Sequence, residues 1–62
     1  MFKKFIQEII DTESIEYLVN NVFYGINGIE MAYQEEEISH SEFEMLSNLI
    51  DKMIELKEMK GE

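Results

Sequence analysis

The chain contains no cysteine, no proline, no tryptophan and no arginine. Without cysteine there is no disulfide framework, no thiolate metal site and no thiol nucleophile. Glycine is also scarce, at Gly25, Gly28 and Gly61. Base is the most telling shortage. The five lysines sit at the ends, Lys3 and Lys4 at one and Lys52, Lys57 and Lys60 at the other, while the stretch from Phe5 to Asp51 holds eleven carboxylates and no base. A one-signed field of this kind limits what can dock. It disfavours direct nucleic-acid binding, which needs lysine or arginine against phosphate, and it repels anionic membranes. No apolar run approaches the roughly 20 residues of a membrane span. Gln7 and Glu8 interrupt what could otherwise read as a signal peptide, so a cytoplasmic protein is expected.

What is present is a globular composition. The hydrophobic fraction is 45%, too high for a disordered acidic tail despite a net charge of −9. Sixty-two residues make one small domain, residues 1–62. A chain of this size buries only about 60% of its unfolded surface, so a partner or a second copy is the expected supplement. An efficiently packed monomer is the alternative.

The strongest local signal is Ile38-Ser39-His40-Ser41-Glu42-Phe43. Ser39 and Glu42 have the spacing of a reciprocal capping box, and Ile38 and Phe43 that of a hydrophobic staple. This stretch resembles the second half of many short bacterial helical hairpins. The spacing predicts a helix over about 40–60, ending at Gly61, with Lys57 and Lys60 near its negative end. Upstream, Ile15, Leu18, Val19, Val22, Ile26, Ile29 and Tyr33 recur at helical spacing. They predict a second helix over about 13–36, capped by Asp11 or Thr12 and running through Gly25 and Gly28. A break at Tyr24-Gly25-Ile26-Asn27-Gly28 is the alternative. Phe2, Phe5, Ile6, Ile9 and Ile10 predict a short amphipathic helix over about 2–10, which must pack on something to persist. The Lys3 and Lys4 end of that helix could also touch a membrane surface weakly. The expected fold is all-α: a short N-terminal helix, then an antiparallel helical hairpin, completed as a bundle by dimerisation.

Both long helices carry more apolar surface than one neighbour can cover. Opposite the core stripe of the second helix lie Tyr17, Tyr24 and Met31 at heptad spacing, with Gly28 beside them. Either the first helix folds over these tyrosines or they form a contact surface, since Tyr and Met are enriched at interfaces. On the third helix Phe43, Leu46, Ile50, Met53 and Ile54 continue round through Met45, Leu49, Leu56 and Met59, beyond the ~100° stripe of an ordinary surface helix. Met45, Leu49, Met53, Leu56 and Met59 are therefore the candidate self-association residues. The methionines would serve equally as core filler or as an adaptable surface for a foreign protein.

Chemistry is thin. His40 has serine neighbours but no orienting group or oxyanion site, so no nucleophilic device is indicated. Glu37 and His40 have the Glu-x-x-His spacing of di-iron bundles, yet the Ser39 cap divides them. His40 and Glu44 are a better-placed pair that lacks further ligands. Counting an EF-hand loop from Glu35 puts His40 at the glycine position and Leu46 at the bidentate glutamate position, so that motif fails. No cofactor and no enzyme activity are expected.

The complement of such a chain is a basic protein surface. The leading expectation is a non-enzymatic interaction module that binds a larger protein and inhibits or modulates it. Small acidic cysteine-free chains of this kind resemble the inhibitors that phages and mobile elements direct at host enzymes or defence systems. Its candidate contact residues are Tyr17, Tyr24, Gly28, Met31, Glu35, Glu36, Glu37, Glu42 and Glu44. The Glu35–Glu37 run could mimic phosphates or simply solvate a helix end. The alternatives are a self-associating assembly module, as a homodimer or higher homo-oligomer, and a metal-binding helical protein.

Overall fold

A computed structural model describes residues 1–60, with the backbone of Lys60 but not its side chain. Four helices follow one another with no strand among the described residues. The first, α1, spans Phe2–Asp11 and buries Phe5 and Ile9. Thr12 closes it by turning to an extended conformation, with both its N–H and its Oγ1 donating to the Glu8 carbonyl at 3.0 and 2.6 Å. Asp11 and Thr12 thus end α1 and do not start the second helix. That role falls to Ser14, whose Oγ accepts from the Tyr17 N–H at 3.2 Å. The reason is reach: a cap must bond the N–H two or three residues ahead.

The second helix, α2, begins with an α turn at Ile15–Tyr17 and widens into a π-helical segment at Leu18–Phe23. The Tyr24 N–H donates to the Val19 carbonyl, five residues back, at 3.0 Å. Leu18 and Val22 point into the core. The chain then turns sharply through Tyr24–Gly28 before α3, Ile29–Gln34. The expected continuous helix over 13–36 is therefore divided, and the alternative break is the one adopted. Gly28 explains why. A Cβ there would stand 2.7 Å from the Phe23 carbonyl oxygen, 2.8 Å from that of Val22 and 2.9 Å from the Gly25 nitrogen. A Cβ on Gly25 would run into the Asn21 carbonyl. Both glycines serve close backbone approach, and a side chain at either would force the turn open.

Past α3 the chain reverses. Glu36 takes φ 61°, its N–H donates to the Tyr33 carbonyl at 3.1 Å, and the Glu37 N–H donates to that of Ala32 at 2.8 Å. This is a Schellman closure with glutamate where glycine is usual. Ile38 follows, buried in the core. Ser39 then starts α4, His40–Lys60: the Glu42 N–H donates to Ser39 Oγ at 3.2 Å and the Ser39 N–H donates to Glu42 Oε1 at 2.8 Å. The reciprocal cap is formed as its spacing implies. The expected stop at Gly61 lies outside the described residues.

Aromatic contacts lay α2 and α3 back along α4. Tyr33 stacks on Phe43 with centroids 4.5 Å apart, Phe43 lies 5.8 Å from Phe23, and Phe23 meets Tyr24 edge-on at 4.7 Å. Further along, Val19 and Tyr24 share a depression with Ile50 and Ile54. The second and third helices thus run opposite to α4. The first packs on both α4 and the π segment. One core joins all of them: Phe5, Ile9, Leu18, Val22, Ile29, Ala32, Ile38, Leu46 and Ile50.

Two stability predictions follow from these backbone arrangements. Gly28→Ala should destabilise by about 1–3 kcal/mol in urea denaturation, because only backbone can give way. At the α3–α4 turn two changes should move in opposite directions. Glu36→Gly should stabilise by about 1 kcal/mol by relieving the left-handed strain. Ser39→Ala should cost about 1 kcal/mol by removing the cap. Thermal melts of both variants check the pair of signs.

Candidate interaction surface

Charge divides the molecule by element. Residues 12–39 carry six carboxylates (Glu13, Glu16, Glu30, Glu35, Glu36 and Glu37) and no base, whereas α1 and α4 carry all five lysines against seven carboxylates. Four large apolar side chains of residues 12–39 also stand in water. Ile26 is 84% exposed, Tyr24 60%, Tyr17 53% and Met31 37%. Ile26 corrects the expected core stripe. Helical spacing assigned it inward, but the turn at Gly25–Gly28 carries it out to solvent. The other members of that stripe are buried (Leu18, Val22, Ile29) or partly buried (Ile15, Val19, Tyr33).

Two shallow depressions meet around Ile26. One is bounded by Tyr17, Asn21, Gly25, Ile26 and Asn27, with Lys4 and Glu8 of α1 along its edge. The other runs from Ile26 and Asn27 over Gly28 to Met31, Ala32, Glu35 and Glu37, with Met1, Lys4 and Phe5 beside it. They share Lys4, Ile26 and Asn27, so Tyr17, Gly28, Met31, Glu35 and Glu37 border one continuous surface. Lys4 is its one lysine. Tyr24 lies elsewhere, in the depression between α2 and α4 with Val19, Ser47 and Asp51. The heptad stripe of Tyr17, Tyr24 and Met31 is thus split, because the widened π turn and the glycine turn both reset the helical phase. The first helix leaves Tyr17 and Tyr24 exposed.

The remaining acidic candidates gather at the α3–α4 turn. Glu36 and Glu37 line an open depression with Tyr33, Ile38, Ser39 and His40, and Glu42 is engaged in the cap. His40 is held on both ring nitrogens, with Nδ1 3.1 Å from Tyr33 Oη and Nε2 3.3 Å from Glu44 Oε2. In the neutral tautomer protonated at Nε2, the imidazole donates to Glu44 and accepts from the Tyr33 hydroxyl. This bridge ties the end of α3 to the start of α4. Among the described residues no three His, Asp or Glu side chains converge as a metal site requires. On α4, Leu49 and Met53 pack partly against the core, while Met45, Leu56 and Met59 are more than half exposed. No helix among the described residues is long and apolar enough to cross a membrane.

No protein-family model, no curated protein and no solved structure matches this chain.

The residue that periodicity misplaced is the central one of the surface. The signal that points to it is local: Ile26 lies within Gly25-Ile26-Asn27-Gly28, where turn residues flank a lone apolar side chain. Ile26→Asp should leave the unfolding free energy within about 0.5 kcal/mol of wild type, as for other surface positions. A large loss of stability in urea would return Ile26 to the core.

Proposed function

We propose that the protein is a non-enzymatic interaction module that binds a larger protein bearing a basic surface and inhibits or modulates it. The observation that carries this reading is Ile26, an apolar side chain 84% exposed where two depressions meet, bordered by Tyr17, Met31, Glu35 and Glu37 with Lys4 as the one lysine at the edge. The two features do different work. Apolar and aromatic groups desolvated at the centre of an interface supply most of the affinity, and Ile26, Tyr17 and Met31 are placed for that. A one-signed rim steers encounter and rejects wrong partners, and Glu35 and Glu37 border the same surface.

The acidic layer also repels phosphate, so the partner is a protein and not nucleic acid. A partner that itself binds nucleic acid would present the basic groove that Glu35, Glu36 and Glu37 could occupy as phosphate mimics. Inhibition of a host enzyme or defence system, as by the phage and mobile-element inhibitors that such chains resemble, is the setting this reading favours.

The test is capture from a lysate of the source cell over a salt series, with three baits: the wild-type protein, Ile26→Asp, and Glu35→Lys combined with Glu37→Lys. One basic partner should be held by the wild-type chain. It should be lost with Ile26→Asp at every salt concentration, and it should bind the double lysine variant more weakly, chiefly at low salt. Equal retention of that partner by all three baits would overturn the proposal.

A further inference from the structure

The apolar residues of α4 that the core leaves uncovered fall in one seam. Met45, Leu49, Lys52, Leu56 and Met59 follow one another at spacings of four, three, four and three residues, the repeat by which two helices pack along their length. Met45 and Leu56 are each 54% exposed and Met59 66%. This seam belongs to α4, which with α1 carries all five lysines against seven carboxylates, whereas residues 12–39 carry six carboxylates and no base.

We propose that the seam is covered by a second copy of this chain, packed antiparallel through α4. Charge selects both the occupant and its direction. Two copies meeting through residues 12–39 would set six carboxylates against six with no base between them, whereas the α1 and α4 layer has five lysines against seven carboxylates. Along α4 the sign changes. His40–Asp51 holds Glu42, Glu44 and Asp51 and no lysine, and Lys52–Lys60 holds three lysines and two glutamates. Antiparallel pairing lays each acidic half beside a lysine-bearing half, and it also opposes the two helix dipoles. Parallel pairing would align acid with acid. The register that covers the seam best sets Met45 of one copy opposite Leu56 of the other, and Leu49 opposite Lys52. The two-fold axis then passes between the levels of Ile50 and Asp51. Lys52 is the one polar residue in the seam. Its methylene stem can lie along Leu49 of the second copy with the ammonium in water, and a single polar seam residue specifies register at some cost in stability. Both acidic layers face outward in this dimer, so the surface around Ile26 is presented twice.

The experiment combines mass with cross-linking. Sedimentation of the wild-type protein should give twice the 7.4 kDa chain mass, and Leu56→Glu should return it to that of one chain. In the antiparallel register two copies of residue 45, or two of residue 56, are separated by eleven residues of helix. That is about 16 Å, beyond the ~7 Å Cα reach of a disulfide. Mixed Met45→Cys and Leu56→Cys chains should therefore form a mixed disulfide under mild oxidation, while neither variant alone forms one. A wild-type monomer at all concentrations, or a rapid disulfide between two Met45→Cys chains, would overturn the proposal. Should Leu56→Glu unfold, the cysteine variants decide. Ile26→Asp should leave the mass unchanged, so failure of the dimer and failure of the acidic binding surface are read separately.

Discussion

Two backbone segments meet at Gly28 with no room for a side chain between them, and the arrangement of the molecule depends on that contact. With the Phe23 and Val22 carbonyls 2.7 and 2.8 Å from where a Cβ would stand, the turn between α2 and α3 is one that glycine alone fits. The turn lets α2 and α3 both deliver buried residues to one core, Leu18 and Val22 from the first and Ile29 and Ala32 from the second. It also forces one residue of the apolar stripe outward, since a turn of this tightness has no interior. The exposed Ile26 is the geometric consequence of the same contact that builds the core.

A second constraint operates at the other end of α3. Holding Glu36 in the left-handed region costs about 1–2 kcal/mol. The residue two places on, Ile38, is buried to 5% exposure, and burial of an isoleucine side chain contributes about 1.5–3 kcal/mol. The reciprocal cap at Ser39 and Glu42 adds to that side. Burial and capping therefore outweigh the strain, and the turn holds although glycine would suit it better. The consequence is that three consecutive carboxylates do not share one setting. Glu35 and Glu37 border the surface around Ile26, while the backbone of Glu36 makes the reversal itself.

Devices that act over three or four residues were legible in the chain. The Ser39–Glu42 box, the helix after it and the short amphipathic helix at the start all rest on local bonding or on a single short period. What did not transfer was any inference that carried helical phase across Leu18–Gly28. Counting 100° per residue placed Ile26 with Leu18 and Val22, and Tyr24 with Tyr17 and Met31. A π-helical segment has more residues per turn, so phase is lost over Leu18–Phe23 and lost again at the glycine turn. Ser14 does not stand out as a cap by type, because Asp11 and Thr12 lie nearby and are comparable cap formers. Only the path of the chain shows that those two are still closing α1.

The separation of charge by element gives the two kinds of exposed apolar residue different meanings. Leu56 and Met59 sit where lysines and glutamates alternate, so a surface of like composition can meet them without net repulsion. Ile26, Tyr17 and Met31 sit beside carboxylates with Lys4 as the one lysine at the edge, so a surface of like composition is repelled and an opposite one attracted. A small chain that needs extra burial for stability and also needs a distinct partner faces a conflict if both demands fall on one face. In the arrangement proposed above the two demands fall on different side chains: Met45, Leu56 and Met59 of α4 would meet the second copy, and Ile26, Tyr17 and Met31 would stay open to a basic partner.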